Sequence, residues 1–142
     1  MLRRFILAGA LLLAALAGPG PAAAGVVAEI ELSSQRMTVK VDGAVLHVWP
    51  VSTGRGGYIT PTGSFRPERL ERVWYSTLFH GAPMPYSVFF HGPYAVHGTT
   101  ETGALGRPAS HGCVRLLPEN ARILFELIRE HGLDNSRIVI TG

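Results

Sequence analysis

The stretch Ser-His-Gly-Cys-Val-Arg-Leu at residues 110–116 contains the only cysteine of the 142-residue chain. One histidine lies two residues before Cys113, and another, His97, lies sixteen residues upstream. The N-terminus is typical of an export signal, and an oxidising compartment converts spare thiols to disulfides. A lone cysteine has no partner within its own chain. A free thiol beside histidines and glycines therefore predicts a nucleophile.

The first 24 residues predict a secretory signal peptide. Arg3 and Arg4 form the charged region, residues 5–17 form an apolar run, and residues 22–24 offer an Ala-x-Ala cleavage site. The run is short for a bilayer-spanning helix, and an uncleaved membrane anchor is the alternative. Cleavage after Ala24 would leave residues 25–142 as one exported domain, in the periplasm or cell envelope.

Charge and length restrict the class of protein. The formal charge of +3 includes Arg3 and Arg4, so it falls to +1 in the mature chain. The basic run at residues 66–72 is interleaved with Glu68 and Glu71, a pattern typical of a solvated face. No nucleic-acid partner is therefore expected. A chain of this length can bury one core without disulfides or metal.

The local patterns predict a mainly β domain, similar to a β-sandwich, with one main α-helix near the C-terminus. Asp42-Gly43 separates two apolar segments and predicts a β-hairpin. Pro118 can open the helix, an apolar stripe follows at helical spacing, and Gly132 suits its C-terminal end. Further strands are predicted at residues 26–32, 86–90, 94–97 and 138–140 and from residue 64, and a mobile surface loop at residues 99–109.

Two other kinds of chemistry fit the residues less well. Lys40 is the only lysine and is followed by Val41, so neither S-x-x-K nor K-T-G occurs. Ser110 is preceded at two residues by Pro108, which excludes a G-x-S-x-G motif there. A zinc site could draw on the nitrogen and sulfur atoms of a small set of residues, but their spacing matches no zinc signature. That set is His91, His97, His111 and Cys113.

Cysteine chemistry accounts for more of these residues. A free thiol with a pKa near ~8.5 is only about 3% thiolate at neutral pH, so we expect a nearby histidine to lower the pKa of Cys113. The backbone amides around Gly112 and Cys113 are candidate oxyanion donors. Spacing leaves His91 and His97 almost equally suitable as the base, although His97 ends an apolar segment that a strand would hold rigidly.

Three blocks of the sequence resemble the L,D-transpeptidase catalytic-domain family of bacterial cell-wall enzymes. The first is Val51-Ser52-Thr53-Gly54 with Thr60-Pro61-Thr62-Gly63-Ser64-Phe65. The second is Met84-Pro85-Tyr86 with Ala95-Val96-His97-Gly98-Thr99. The third runs from Gly106 to Leu116 and resembles the family's cysteine signature almost residue for residue.

The resemblance implies a role for each matching site residue. Cys113 would be the nucleophile, His97 its base and later the acid, and the Gly98 carbonyl would orient the imidazole. His111 would help to shape the site, and local amides, including that of Gly112, would form the oxyanion hole. The implied substrate contacts are Ser110, Arg115 and Tyr86, with scaffold hydrogen bonding as the alternative role.

The resemblance also implies a reaction without a cofactor. The enzyme would attack a peptidoglycan tetrapeptide stem between the L-centre of a diamino acid and the terminal D-alanine. The acyl group would form a thioester on Cys113 and pass to an amine: another stem, a lipoprotein lysine or a free D-amino acid. Carbapenems are the expected inhibitors. The alternatives are an L,D-carboxypeptidase, with water as acceptor, and a noncatalytic peptidoglycan-binding domain.

Overall fold

The computed structural model describes residues 25–142, and the predicted signal peptide lies outside them. The fold is mainly β with one main helix, as the sequence predicts. Within the described residues the elements are β1 Val26–Glu31, β2 Arg36–Val41, β3 Ala44–Pro50, β4 Gly63–Phe65, β5 Arg69–Glu71, β6 Ser87–His91, β7 Tyr94–Gly98, β8 Val114–Leu116, α1 Pro118–His131 and β9 Ser136–Thr141. No helix in this part of the chain combines the length and the apolar character needed to cross a membrane.

The first sheet has five strands in the order β3-β2-β1-β9-β4. Asp42 and Gly43 have φ values of 50° and 84°, and they form the predicted tight turn between β2 and β3. The C-terminal strand β9 runs parallel to β1, in register from Val26 opposite Ser136. Strand β9 is an interior strand of the sheet, between β1 and the edge strand β4.

The second sheet has four strands in the order β5-β6-β7-β8, and β7 and β8 are parallel. Successive side chains of a strand point to opposite faces of the sheet. One face, here called the core face, enters the main hydrophobic core with Val88, Phe90, Val96, Val114 and Leu116. The other face, here called the cavity face, carries Phe89 and Ala95, which pack with Met84, Trp74 and Cys113.

Helix α1 covers the core face of the second sheet. Pro118 occupies its first turn and Gly132, with φ 93°, caps its C-terminus, as predicted. Its buried residues are Ala121, Leu124, Phe125 and Ile128. This packing holds β7 and β8, and with them the residues on the cavity face, against a closely packed interior.

The segment 99–109 is joined to the rest of the chain by backbone hydrogen bonds. Gly106 N–H donates to the Val51 carbonyl at 2.8 Å, and Ala109 N–H donates to the Thr53 carbonyl at 3.0 Å. A short 3₁₀ turn, Thr102–Ala104, lies between the contacts. The predicted surface loop is therefore attached to the segment that follows β3.

Candidate active site

Strands β7 and β8 place the predicted nucleophile and base on the same face of one sheet. His97 of β7 lies opposite Arg115 of β8 in the parallel register. Cys113 immediately precedes β8 and lies two residues before Arg115. Because side chains alternate with a period of two, Cys113, His97 and Arg115 share the cavity face.

A cavity of about 360 Å³ opens on the cavity face. The predicted site residues that line it are His97, Ser110, His111, Cys113 and Arg115. The opposite wall is formed by residues of the segment between β5 and β6, including Trp74, Phe79 and Met84. Four other residues considered for the site do not line the cavity: Tyr86, His91, Gly98 and Gly112.

His97 is held in one tautomer. Its side chain is buried, with 6% exposure, and Nδ1 lies 2.7 Å from the Gly98 carbonyl oxygen. A carbonyl only accepts hydrogen bonds, so Nδ1 carries the proton and Nε2 is left as an acceptor. Burial lowers the pKa of His97 to about 4, although the Gly98 hydrogen bond acts in the opposite direction. The imidazole is therefore neutral at pH 7.

Cys113 is half-buried, and its electrostatics differ from the expectation of a lowered pKa. Burial raises the pKa of the Cys113 thiol above its ordinary value, and the Ala95 backbone and the Arg115 charge only partly oppose this. The thiol donates a weak hydrogen bond, 3.8 Å long, to the Pro93 carbonyl. The sequence-based expectation considered a neighbouring histidine but omitted the desolvation of the thiolate. At rest the structure holds a neutral thiol and a neutral imidazole in the same cavity.

Ser110 and Gly112 shape the turn that presents Cys113. Gly112 has φ 120°, and a Cβ there would lie 2.7 Å from Cε1 of Tyr94, so only glycine fits. Its N–H donates to Ser110 Oγ at 3.0 Å, while Ser110 Oγ donates to the Cys113 carbonyl at 2.6 Å. In this state the Gly112 amide is engaged by Ser110 and is unavailable to an oxyanion. The Ser110 hydroxyl is likewise used within the turn.

The segment 51–60 stabilises this turn through hydrogen bonds. Thr60 Oγ1 donates to the Gly112 carbonyl at 2.8 Å, and it accepts the Gly54 N–H at 2.9 Å. Backbone hydrogen bonds of 3.0 and 2.8 Å join Ser52 to Arg115 in both directions. The first of the three sequence blocks therefore positions the third.

Gln35 is a supporting residue that the sequence analysis missed. It is 4% exposed, and its amide oxygen accepts the Thr53 N–H at 2.9 Å. Its amide nitrogen donates to Thr53 Oγ1 at 2.7 Å. Nothing local in the sequence indicates this role, because a glutamine between two strands is ordinary in an exposed turn.

His111 forms part of the cavity rim. Its ring stacks on Phe79 at 4.2 Å between centroids and meets Tyr58 edge-on at 4.7 Å. Arg55 Nη2 lies 3.2 Å from His111 Nε2, which must accept because a guanidinium only donates. Desolvation and then the charges of Arg55 and Arg115 lower the pKa of His111. The neutral ring thus joins the cysteine loop to the opposite wall.

The remaining predicted residues are distributed differently. Arg115 lines the cavity and pairs with Glu101 at 3.1 Å. Tyr86 packs against Phe125 of α1, outside the cavity lining. His91 is exposed at the end of β6 and also lies outside the lining, so of the two candidate bases the fold brings His97, and not His91, to the cavity with Cys113.

Gly98 is packed too tightly for a side chain. A Cβ at this position would lie 3.0 Å from Cα of Pro118 and 3.1 Å from Cγ of Pro85. Its backbone is therefore pressed against the start of α1, which fixes the carbonyl that holds His97. Across residues 25–142, no group of three or more His, Cys, Asp or Glu side chains is arranged to hold a metal ion.

Comparisons with known proteins agree with this geometry. The profile of the L,D-transpeptidase catalytic domain matches residues 25–140. YciB of Bacillus subtilis, named as an L,D-transpeptidase, is 29% identical over 118 residues, which cover 72% of this chain and 61% of YciB. An L,D-transpeptidase structure from Mycobacterium smegmatis has a TM-score of 0.74 and 26% identity, over 84% of this chain and 59% of that chain.

A second solved structure, the L,D-transpeptidase LdtMt1 in complex with imipenem, has a TM-score of 0.72 and 25% identity, over 82% of this chain and 59% of that chain. The present chain thus spans about three fifths of the length of these relatives. The profile match extends over nearly all described residues. The chain belongs to the L,D-transpeptidase catalytic domain family.

Proposed function

We infer that this chain is a cysteine L,D-transpeptidase that acts on peptidoglycan tetrapeptide stems through an acyl-enzyme on Cys113. One observation carries the proposal: the Gly98 carbonyl holds the Nδ1 proton of His97, and this leaves Nε2 as the basic nitrogen in the cavity that contains the thiol. A noncatalytic binding domain has no need for this arrangement.

The first half-reaction begins from a neutral pair. His97 Nε2 takes the thiol proton as Sγ attacks the carbonyl between the diamino acid and the terminal D-alanine. The C–N bond then breaks, and Nε2 returns its proton to the departing D-alanine amine. The result is a thioester on Cys113 and a neutral His97. Gly98 has the positioning role that a carboxylate has in a serine triad.

In the second half-reaction an amine takes the acyl group. The acceptor amine loses a proton to His97 Nε2 as it attacks the thioester, and the expelled thiolate then recovers that proton. Acceptors of this chemistry are another stem, a lipoprotein lysine and a free D-amino acid. Water in place of the amine would make the chain an L,D-carboxypeptidase. Neither half-reaction needs a cofactor.

Defined tetrapeptide stems with an excess of an amine acceptor test this proposal. Wild-type protein should release D-alanine, carry a thioester adduct visible by mass, and form the amide product. Cys113→Ala should do none of these, yet should unfold at nearly the same temperature, because the exchange removes little volume and strands no charge. D-alanine release by Cys113→Ala would contradict the cysteine mechanism. Conversion to tripeptide alone, despite abundant amine, would favour the carboxypeptidase.

Carbapenems should acylate the same thiol. A relative has been solved in complex with imipenem, and the Cys113 side chain of this chain lines a cavity open to a small molecule. Imipenem should therefore add its full mass to the wild-type protein and leave Cys113→Ala unchanged. Adduct formation on Cys113→Ala would place the reaction elsewhere.

Export of the catalytic domain is the remaining part of the proposal. Arg3-Arg4, the apolar run at residues 5–17 and the alanines before Gly25 support a cleaved signal. Protein recovered from the cell envelope should begin at Gly25 or a close neighbour, as read by mass spectrometry. Intact Met1 in that fraction would instead indicate a membrane anchor.

A further inference from the structure

Arg69 occupies the cavity at the edge farthest from the cysteine strand. It belongs to β5, the edge strand of the second sheet, and it is among the residues that line the cavity. Its guanidinium carbon lies 3.8 Å from the ring centroid of Phe89 and 4.6 Å from that of Trp74. The two rings meet edge-on, with 5.6 Å between their centroids. Arg69 therefore sits in an aromatic corner at the solvent-exposed edge of the cavity.

The sheet register relates Arg69 to the nucleophile. Arg69 lies opposite Phe89, and Phe89 lies opposite Ala95. Cys113 directly precedes Val114, whose partner Val96 directly follows Ala95. The four residues thus form one row across the sheet, and Cα of Phe89 is about 10 Å from that of Cys113 at ordinary strand spacing. The guanidinium lies over this ring, at about that distance along the sheet from the thiol.

The charge of Arg69 is only partly engaged. Its one side-chain hydrogen bond among the described residues runs from Nη1 to Glu71 Oε1 at 3.2 Å, and both side chains are about two fifths exposed. Exposed pairs of this kind are weak. A guanidinium has five N–H donors in a planar fork suited to a carboxylate, so donors remain for an anionic group in the cavity.

We propose that Arg69 binds a carboxylate of the acyl-donor stem that lies roughly six or seven bonds from the scissile carbonyl. This inference rests on the proposed function. A chain of that many bonds spans about 7–8 Å when extended, and a hydrogen bond of roughly 3 Å to the guanidinium covers the rest of the offset of about 10 Å from Cys113. The carboxylate of the terminal D-alanine is much closer to the scissile bond and does not fit.

Two carboxylates of a stem have this chemistry. One is the side-chain carboxylate of a diamino acid of the diaminopimelate type, and the other is the free α-carboxylate of a preceding γ-linked glutamate. Both would reach Arg69 along the floor formed by Ala95 and Phe89. A stem with lysine, or with amidated acids, would lack one or both. Arg69 would therefore make the enzyme sensitive to the amidation of its donor.

Binding to the Cys113→Ala protein tests the inference without any turnover. Titration calorimetry is run with three tetrapeptide stems: one with both acids free, one amidated at the diamino acid, and one amidated at the glutamate. Amidation of the recognised acid should weaken binding about 10- to 100-fold, the range for a charge-assisted hydrogen-bonded pair. The stem that loses affinity identifies which carboxylate is bound.

Arg69→Gln in the same background should remove that selectivity. It should weaken the binding of the free-acid stem by the same factor, as expected for the loss of one ionic contact. The affinity for the stem that is amidated at the recognised acid should change by no more than about twofold. Arg66→Gln is the matched control, because Arg66 is an exposed arginine outside the cavity lining. It should change the affinity for neither the free-acid stem nor the amidated stem. Glu71→Gln removes the competing anion and should tighten the free-acid stem a few-fold.

Three results would overturn the inference: equal weakening of all stems by Arg69→Gln, no weakening by it, or no difference between free and amidated stems in the parent protein. The outcome is separate from that of the proposed reaction. If Arg69 binds a carboxylate selectively but the wild-type protein releases no D-alanine, the role of Arg69 is supported and the proposed reaction is rejected. If the protein releases D-alanine without this selectivity, the reaction is supported and the role of Arg69 is rejected.

Discussion

The two faces of the four-stranded sheet differ completely in content, although the same strands build both. On the core face Val88, Phe90, Val96 and Val114 are each at most 2% exposed and pack under α1. On the cavity face the neighbouring positions of those strands carry Phe89, His97, Cys113 and Arg115. The alternation of a strand thus couples the core to the candidate chemistry one residue away.

This contrast explains how a small domain holds a neutral His–Cys pair at a defined separation along the sheet. Interiors are closely packed, so a strand anchored by Val96 and Val114 cannot slide without opening voids. A shift of one residue would exchange the two faces. The core face therefore fixes the positions of the strands, and the cavity face carries the residues proposed to react. Substitutions on the two faces should accordingly separate stability from activity.

The largest effect is expected on the cavity face, at the base. His97→Gln keeps a donor for the Gly98 carbonyl but has no basic nitrogen, so D-alanine release should fall about 10²–10⁴-fold, the usual contribution of general-base catalysis. His91→Gln, at an exposed position outside the cavity, should stay within about twofold. Initial rates with a tetrapeptide stem measure both. A large loss in His91→Gln with little loss in His97→Gln would reverse the assignment of the base.

On the core face the expected loss is in stability. Phe90 is 2% exposed and lies in the main core beside Phe65. Phe90→Ala should lower the free energy of unfolding by about 3–5 kcal/mol, through lost burial and the cavity left behind. Urea unfolding measures this, and the fraction that remains folded should retain its activity. A loss below about 1 kcal/mol would show that the core face is not what holds the strands.

The buried histidine should make stability depend on pH. Its pKa is lowered from 6.5 to about 4 in the folded chain, so between these values the unfolded chain binds a proton that the folded chain does not. The free energy of unfolding should then fall by about 3 kcal/mol as the pH drops from 7 to 4. His97→Gln should abolish this part of the dependence. If the free energy of unfolding depended on pH equally in wild type and in His97→Gln, this would contradict the burial of a neutral imidazole.

The smallest effect concerns the resting thiol. Because burial raises the pKa of Cys113, alkylation by iodoacetamide should be slower at pH 7 than that of a free cysteine, with its midpoint at a higher pH. Arg115→Gln should move the midpoint higher still, since the positive charge of Arg115 lowers the pKa. Mass spectrometry across a pH series follows the reaction. A midpoint below that of free cysteine would indicate a preformed thiolate.

Several parts of the fold were predictable because their signals are local. The Asp42-Gly43 turn follows from the left-handed backbone that these residues accept, and α1 follows from its apolar stripe between Pro118 and Gly132. The strands β5 and β8 were not predicted. Each has only three residues, too few for an alternation to stand out.

Residues with long-range roles were harder to assign. The basic run at residues 66–72 predicts a solvated face, and its arginines are exposed, but only the fold shows that Arg69 also lines the cavity and that Arg66 does not. Tyr86 and Ser110 read as substrate contacts, but Tyr86 packs on α1 and the Ser110 hydroxyl is used within the cysteine turn. In each case the deciding contact comes from a partner that residue type alone does not indicate.

By itself the sequence determined the candidate nucleophile, the mainly β class, the hairpin and the helix, because these depend on residue type and on spacing within one segment. Only the tertiary structure decided that β7 and β8 pair in parallel, so that His97 and not His91 shares a cavity with Cys113. It also decided that both groups are neutral at rest. Register and desolvation arise from the packing of distant segments, and no local pattern encodes how deeply a side chain is buried.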